Sequence, residues 1–435
     1  MNLLESDDWQ FLETIAASVV EASRVAPGVG VGKIGPNTTG GTLIRPGGRD
    51  CYPAFWIRDY AMSLESRFIT PEEQRHALLL TARCQQDKPW RLRSGSFVPP
   101  GAIPDHITLD GKPIFFPGTL DDFEGQGGAA WGYLPAFDDH FYFIQMAAAY
   151  AELAVDTDIL TREINGIPLI DRLDRAFHVP PSRDDNGLVH CEADNRGVTF
   201  GFVDTITHTG DVLFASLLKY QAAAEMARFY ERIEKPDKAS EYHDAAAMIR
   251  TAIPATFATG KGLLRASTGT SGQPDVWGSA YAVYIGAVDE AQAGAVCKAL
   301  AQAYREGSLA WRGNIRHVIT TDDYSPTTAW EKALCPKNRY QNGAYWGTPT
   351  GWVCYAMAQT DFDLARKLAN EYIAELREGD YRKGSEFGSP WECMHPDGNH
   401  RQNPVYMAGV TCTYAAFKRI EREKERCRES VQPLP

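Results

Sequence analysis

The sequence predicts an all-α protein assembled from pairs of helices. Three observations carry that expectation: about eleven or twelve stretches with apolar residues at helical spacing, few convincing strands, and links that alternate between short and long. In the first stretch, residues 8–24, Trp9, Leu12, Ile15, Val19 and Val20 recur on one helical face. Residues 25–51 are rich in Gly and Pro with a β-like piece at Gly41–Arg45, which reads as a loop or small hairpin. A helix follows Asp59, and Thr70-Pro71-Glu72-Glu73 opens the next. There Thr70 suits the N-cap, Pro71 the first turn and Glu73 the reciprocal bond of a capping box. The two make one αα-hairpin.

Residues 88–135 lose all regularity, yet their Phe, Trp and Tyr content argues against disorder; they read as a loop excursion over one end of the fold. Helical spacing returns at 138–155, 167–178, 211–230, 236–256, 279–286 and 289–304. A second irregular aromatic segment, 311–350, precedes helices at 351–359, 361–376 and 406–422. Ala residues at helical spacing across 217–253 allow two helices to approach closely. No linker divides the chain, so one domain over 1–435 is expected. Periodicity does not separate a closed ring from a stacked α-solenoid.

A formal net charge of −12 sets the chain against nucleic acid or an anionic membrane as its main partner. No basic-then-apolar leader is visible at the N-terminus, and no run approaches the roughly 18 apolar residues of a spanning helix. The nine cysteines stand singly with no CxxC pair, which fits reduced thiols in a cytoplasmic protein. No P-loop, dinucleotide fingerprint, HExxH or GxSxG is present, so no cofactor or metal is expected. Asp138-Asp139-His140 has ligand-type residues, but it opens a helix, where Asp is a common cap.

Four clusters carry possible chemistry. Phe55-Trp56-Ile57-Arg58-Asp59-Tyr60 joins an aromatic platform to a guanidinium and a carboxylate, the parts of a sugar-holding floor or of a structural ion pair at a helix start. Asp204, among Phe202, Val203 and Ile206, is a carboxylate in apolar company. It suits a general acid, or it orders the turn before the next helix. Tyr340–Trp352 sets Asn342 beside Tyr345 and Trp346 on Gly-rich backbone, a composition suited to hydroxyl-rich ligands. Trp391-Glu392 precedes a Pro-Asp-Gly turn, where a loop carboxylate in touch with water could act as general base or be a plain surface acid. His208 and His395 flank the carboxylates as ligand contacts or satisfied structural histidines.

Together these residues resemble the six-hairpin glycosidases, the (α/α)6-barrel enzymes that include glucoamylases, trehalases and the glucosidase part of debranching enzymes. Trp56-Ile57-Arg58-Asp59 is similar to their Trp-x-Arg-Asp motif, and Phe202-Val203-Asp204 to the segment of their acid. Tyr340–Trp346 resembles a Tyr-x-Asn-Gly-Gly-x-Trp signature, and Trp391-Glu392 the segment of the general base. Phe202 stands where Trp is usual and Ala344 where Gly is. The resemblance implies an (α/α)6 toroid with long loops at one end. It also implies an inverting, metal-independent glycoside hydrolase, acting from the end of a small oligosaccharide or glycoside.

In that reading Asp204 and Glu392 are catalytic, and Trp56, Arg58, Asp59, Asn342, Tyr345, Trp346, Trp391, His208 and His395 hold the sugar. Asp122, Glu124 and Asp194 stand as alternative acids and Glu386 as the alternative base. Rival readings are a sugar epimerase of the 2-epimerase barrel type, a polysaccharide lyase and a non-catalytic glycan-binding α-solenoid.

Overall fold

The computed structural model describes residues 2–93, 95–117, 130–154, 156, 158–270, 272–319 and 332–431. Twelve α-helices lie among them. They are α1 (Ser6–Ser23), α2 (Ile57–Ser63), α3 (Pro71–Cys84), α4 (Asp138–Ala154), α5 (Leu169–Phe177) and α6 (Leu213–Arg232). The second half has α7 (Pro236–Phe257), α8 (Val276–Tyr284), α9 (Glu290–Arg305), α10 (Thr350–Ala358), α11 (Phe362–Gly379) and α12 (Met407–Val431).

Local chemistry sets their ends. Thr70 Oγ1 accepts from the Glu73 N–H while Glu73 accepts from the Thr70 N–H, the capping box read from the sequence. Thr70→Ala should therefore cost about 1 kcal/mol, seen as a lower urea midpoint with an unchanged slope. Asp275 caps α8 through the Gly278 N–H at 2.8 Å, which starts this helix three residues before the expected Ser279. Asp289 and Asp361 cap α9 and α11 in the same way.

The even-numbered helices form the inner layer. Each packs against the next, α2 on α4, α4 on α6 and onward to α12, which packs back on α2. The odd-numbered helices lie outside, with α1 on α12, α3 on α4, α5 on α4 and α6, α7 on α6, α9 on α8 and α10, and α11 on α10. Composition explains the layering. In α10, Thr350–Met357 are buried on every side, as an apolar helix with neighbours all round must be. By contrast α5 and α11 carry one apolar face and one charged face.

The connections contain short strands, of which the sequence indicated only the β-like piece at Gly41–Arg45, since most of the others are two residues long and too short to show an alternating pattern. Leu43–Ile44 pairs with Arg24–Val25. A three-stranded sheet joins Phe55–Trp56, His106–Ile107 and Pro113–Ile114. A five-stranded antiparallel sheet runs in the order Ala310–Trp311, Asn314–Ile315, Tyr345–Trp346, Trp391–His395, His400–Pro404. Eight cysteines among the described residues carry no disulfide. No helix among those residues is long and apolar enough to cross a membrane.

Candidate active site

The residues that precede or open the inner helices gather into one buried polar cluster. The strand Phe55–Trp56 feeds α2 directly, so Arg58 and Asp59 occupy its first turn and are both buried. Arg58 turns away from Asp59. Its guanidinium donates to Asp105 at 2.6 Å, to Asp138 at 2.8 Å and to Asp139 at 2.8 Å. Asp138 and Asp139 open α4, and Asp105 precedes the strand that pairs with Phe55–Trp56. The paired Asp–Asp of the sequence is thus bound to Arg58, and His140 beside it contacts backbone at Ile103 and Phe137.

Burial works against ionisation of Asp105, but the Arg58 charge and the bond from His106 hold its carboxyl well below the usual range. Burial pushes Asp139 well up. Gly201 lies flat on this guanidinium, and a Cβ there would sit 1.8 Å from Arg58 Nε, so only glycine fits. The Gly201 N–H donates to Asp138 at 2.9 Å, tying Arg58 and α4 to the turn that ends in Asp204.

Asp59 accepts from the Tyr406 hydroxyl at the entrance to α12. Its burial lifts the carboxyl to about 6, with Tyr406 and Arg58 pulling the other way. Asp204 closes the short helical turn Gly201–Val203. Gln341 fastens that turn by accepting from the Thr205 N–H and hydroxyl, each at 2.8 Å, and donating to the Gly201 carbonyl at 3.1 Å. Burial raises the Asp204 carboxyl to about 7, partly offset by the Gln341 side chain and Arg58. Asp204 Oδ1 is buried with no hydrogen-bond partner.

Glu392 is not the water-facing loop acid expected from the Pro-Asp-Gly turn after it. It lies in the strand Trp391–His395 at 2% exposure, because sheet pairing with His400–Pro404 turns the segment inward. Asn403 donates to its Oε2 at 2.5 Å and the Tyr52 hydroxyl to its Oε1 at 3.0 Å. Burial pushes its carboxyl up to about 8. The two donors oppose that rise, and the charges of Asp59 and Asp204 add to it. The Tyr52 and Tyr340 hydroxyls lie 3.2 Å apart, and both rings sense Glu392 and Asp204. The Asp204 charge thus reaches Glu392, distant in sequence, and the tyrosine pair lies under the influence of both carboxylates.

Aromatic rings surround them. Trp56 stacks on His106 at 4.2 Å and leans on Tyr52 at 4.9 Å. Tyr345 stacks on His395, with the Arg316 guanidinium over the ring. His395 Nδ1 accepts from the Asp397 N–H, and half-buried Trp391 packs against Gly388. His208 is buried and held neutral near neutral pH, its imidazole pushed down to about 4. Trp346 is fully buried, packed on Phe202, Trp277 and Tyr340 with its indole N–H on the Tyr340 carbonyl. Asn342 ties down the Cys335 carbonyl at 2.9 Å. Asp194 and Glu386 are exposed, and Asp122 and Glu124 lie outside the described residues.

The sequence did not single out Tyr52, Asp105, Tyr340, Gln341, Asn403 or Tyr406 as site residues. Tyr340 and Gln341 lay inside a motif already marked. Asn403 and Val405 had no such signal, yet both hold left-handed backbone, at φ 47° and 60°. For a β-branched residue such a φ is a true outlier, of the kind that collects around functional sites. It is held by hydrogen bonds from the Val405 N–H to Gly388 and from the Gly48 N–H to Val405.

No protein-family model and no curated protein matches the sequence. Solved structures do match. A rhamnosidase from Klebsiella oxytoca with rhamnose bound superposes with a TM-score of 0.57 at 12% identity, over 96% of this chain and 65% of that one. The chain thus spans less than two thirds of the rhamnosidase. A structure described as a wild-type glycosidase gives 0.57 at 12% identity, covering 96% of this chain and 98% of the other. A GH63 mannosylglycerate hydrolase from Thermus thermophilus in complex with glucose gives 0.54 at 12% identity, over 93% and 99%. This chain shares the fold of these glycosidases. In that shared fold, the buried carboxylate cluster stands where the inner helices begin.

Proposed function

We propose that this chain is an inverting glycoside hydrolase on a closed (α/α)6 barrel, one domain over 1–435, acting from the end of a small glycoside. One observation carries the reading: half-buried Asp204 and buried Glu392 converge on the Tyr52–Tyr340 pair, and the Asp204 charge raises the Glu392 carboxyl. Asp204 is the general acid. Its unpartnered Oδ1 and raised carboxyl suit delivery of a proton to the leaving oxygen. Glu392 is the general base. Donors from Tyr52 and Asn403 favour its ionised form and fix the oxygen that takes a proton from water.

Asp59, fixed by Tyr406, grips the sugar hydroxyls, while Trp56, Tyr345 and Trp391 wall the pocket. His208 and His395 join as contacts. Asn342 and Trp346 support that wall from behind, and Arg58 acts by holding the floor together rather than by touching the sugar. Rhamnose and glucose in the matching structures favour a small neutral sugar as substrate. The segments 88–135 and 311–350 would narrow the mouth, although 118–129 and 320–331 lie outside the described residues. Scattered thiols favour a cytoplasmic setting. An epimerase relying on histidine acid–base chemistry is disfavoured, because burial pushes His208 and His317 down to about 4 and about 3.

Hydrolysis of an aryl glycoside followed by NMR should show first-formed sugar of inverted anomeric configuration, as expected for carboxyls roughly 6.5–9.5 Å apart. Retained configuration overturns the assignment of Glu392 as base. The pH profile of kcat/KM should be a narrow bell, because only the singly protonated pair with its proton on Asp204 is active, the minor arrangement while Glu392 holds a proton more tightly than Asp204. Its limbs follow the pair at about 7 and about 8. Activity peaking near pH 4, where ordinary carboxylates titrate (about 3.9 to 4.3), would remove the pair from the mechanism.

A further inference from the structure

We propose that the chain has a second ligand site, at the far end of the inner helices, for a neutral hydroxyl-rich molecule of disaccharide size. The helices that open onto the carboxylate cluster line, with their later turns, a separate cavity of about 840 Å³. None of Asp59, Asp204, Tyr52 or Glu392 touches it. Its volume lies within the range of small-molecule pockets, roughly 300–1,000 Å³.

The lining chemistry sets the ligand class. Tyr281, Tyr284 and Trp352 are buried rings on the wall, packed on one another and on Phe214, which makes that wall rigid. Between them, Gln221 Oε1 accepts from the Tyr281 hydroxyl at 2.7 Å and from Gln145 at 3.0 Å. That bonding leaves the Gln221 NH2 as a donor. On the same wall Tyr142 is 1% exposed, and its hydroxyl has no hydrogen-bond partner. A buried hydroxyl in that state calls for a polar partner. The cations that reach the cavity are paired: Arg228 with Glu225, and Arg67 lies 3.5 Å from Glu152. Glu65 accepts from the Tyr284 hydroxyl, and Arg419 pairs with Glu423. With its cations paired and Glu65 held by a hydroxyl, the cavity offers no free charge for an ion, and its amides and hydroxyls suit a neutral polyol or sugar.

This inference does not rest on the hydrolase reading, and one experiment separates the two. Glu392→Gln protein is titrated with maltose by calorimetry and by saturation-transfer NMR, alone and with Ala224→Trp, Gln221→Leu or Trp56→Ala added. Ala224→Trp fills the cavity from α6, and Gln221→Leu removes its amide with little change in volume. Each should weaken a maltose site about tenfold or more, while Trp56→Ala leaves that site intact. Far-UV circular dichroism checks folding, and Gln221→Leu carries the test if Ala224→Trp fails to fold. Maltose binding that depends on Trp56 alone overturns the second site, as does the absence of any maltose binding. Cavity-dependent binding in a protein that hydrolyses no glycoside keeps the site and discards the hydrolase.

Discussion

Glu392→Gln is expected to reduce turnover by several orders of magnitude on every glycoside, while Asp204→Asn loses much less on substrates with an activated leaving group. The difference follows from the proposed roles. A base that activates water is needed whatever departs, whereas a nitrophenolate leaves without the proton that Asp204 would supply. Equal losses for both variants on aryl and alkyl glycosides would undo the division of roles. Full activity in either removes that residue from the chemistry.

The same substitutions should stabilise the fold, and the sign follows from the raised carboxyls. Asp204 moves from 3.8 to about 7 and Glu392 from 4.5 to about 8. Between those limits the folded chain binds more protons than the unfolded one, so stability falls as pH rises from roughly 4 to 8. Each tenfold gain in proton affinity on folding corresponds to about 1.4 kcal/mol, and the Asp204 charge contributes to the rise of Glu392. Removing one carboxylate lifts part of that cost. Glu392→Gln should therefore melt higher than the parent at pH 8 and no higher at pH 4. A lower melting point at pH 8 would mean that the Tyr52 and Asn403 bonds outweigh burial.

The helices were legible because each carries its own signal: the box at Thr70 and Glu73, the face of α1, the Ala spacing across 217–253. Trp56, Asp59 and Asp204 were legible because each stands in a local motif. Beyond the β-like piece at Gly41–Arg45 the connections were not, since most of their strands are two residues long and several exist only through partners distant in sequence. Glu392 shows the limit. Its neighbours Pro396-Asp397-Gly398 do form a tight, exposed turn, but pairing with residues 400–404 makes that turn the tip of a hairpin whose first strand is buried. Arg58 shows it too. Adjacency suggested Asp59 as its partner, yet a helix turns successive side chains about 100° apart, and three carboxylates from two other elements fill its fork.

That cluster leads to the largest expected loss of stability. Arg58→Met should destabilise the chain by about 3–5 kcal/mol, the cost of leaving buried charge without its partner. Asp105, Asp138 and Asp139 would remain, all buried, with the His106 ring hydrogen-bonded to Asp105. Protonation is their escape, so the loss should grow with pH across the range where they would otherwise ionise. Arg58→Lys should recover little, since a single ammonium cannot reproduce a fork that meets three carboxylates at 2.6–2.8 Å. Adding Asp138→Asn and Asp139→Asn to Arg58→Met should restore part of the stability by removing the uncompensated charge. Denaturant unfolding at pH 5 and pH 8 measures all of these. Unchanged stability in Arg58→Met, together with a raised KM, would make Arg58 a direct grip on the sugar. Lost stability that the added Asn substitutions relieve instead makes it the pin that fixes α2, α4 and the Asp204 turn in register, and hence the geometry on which Asp59, Asp204 and Glu392 depend.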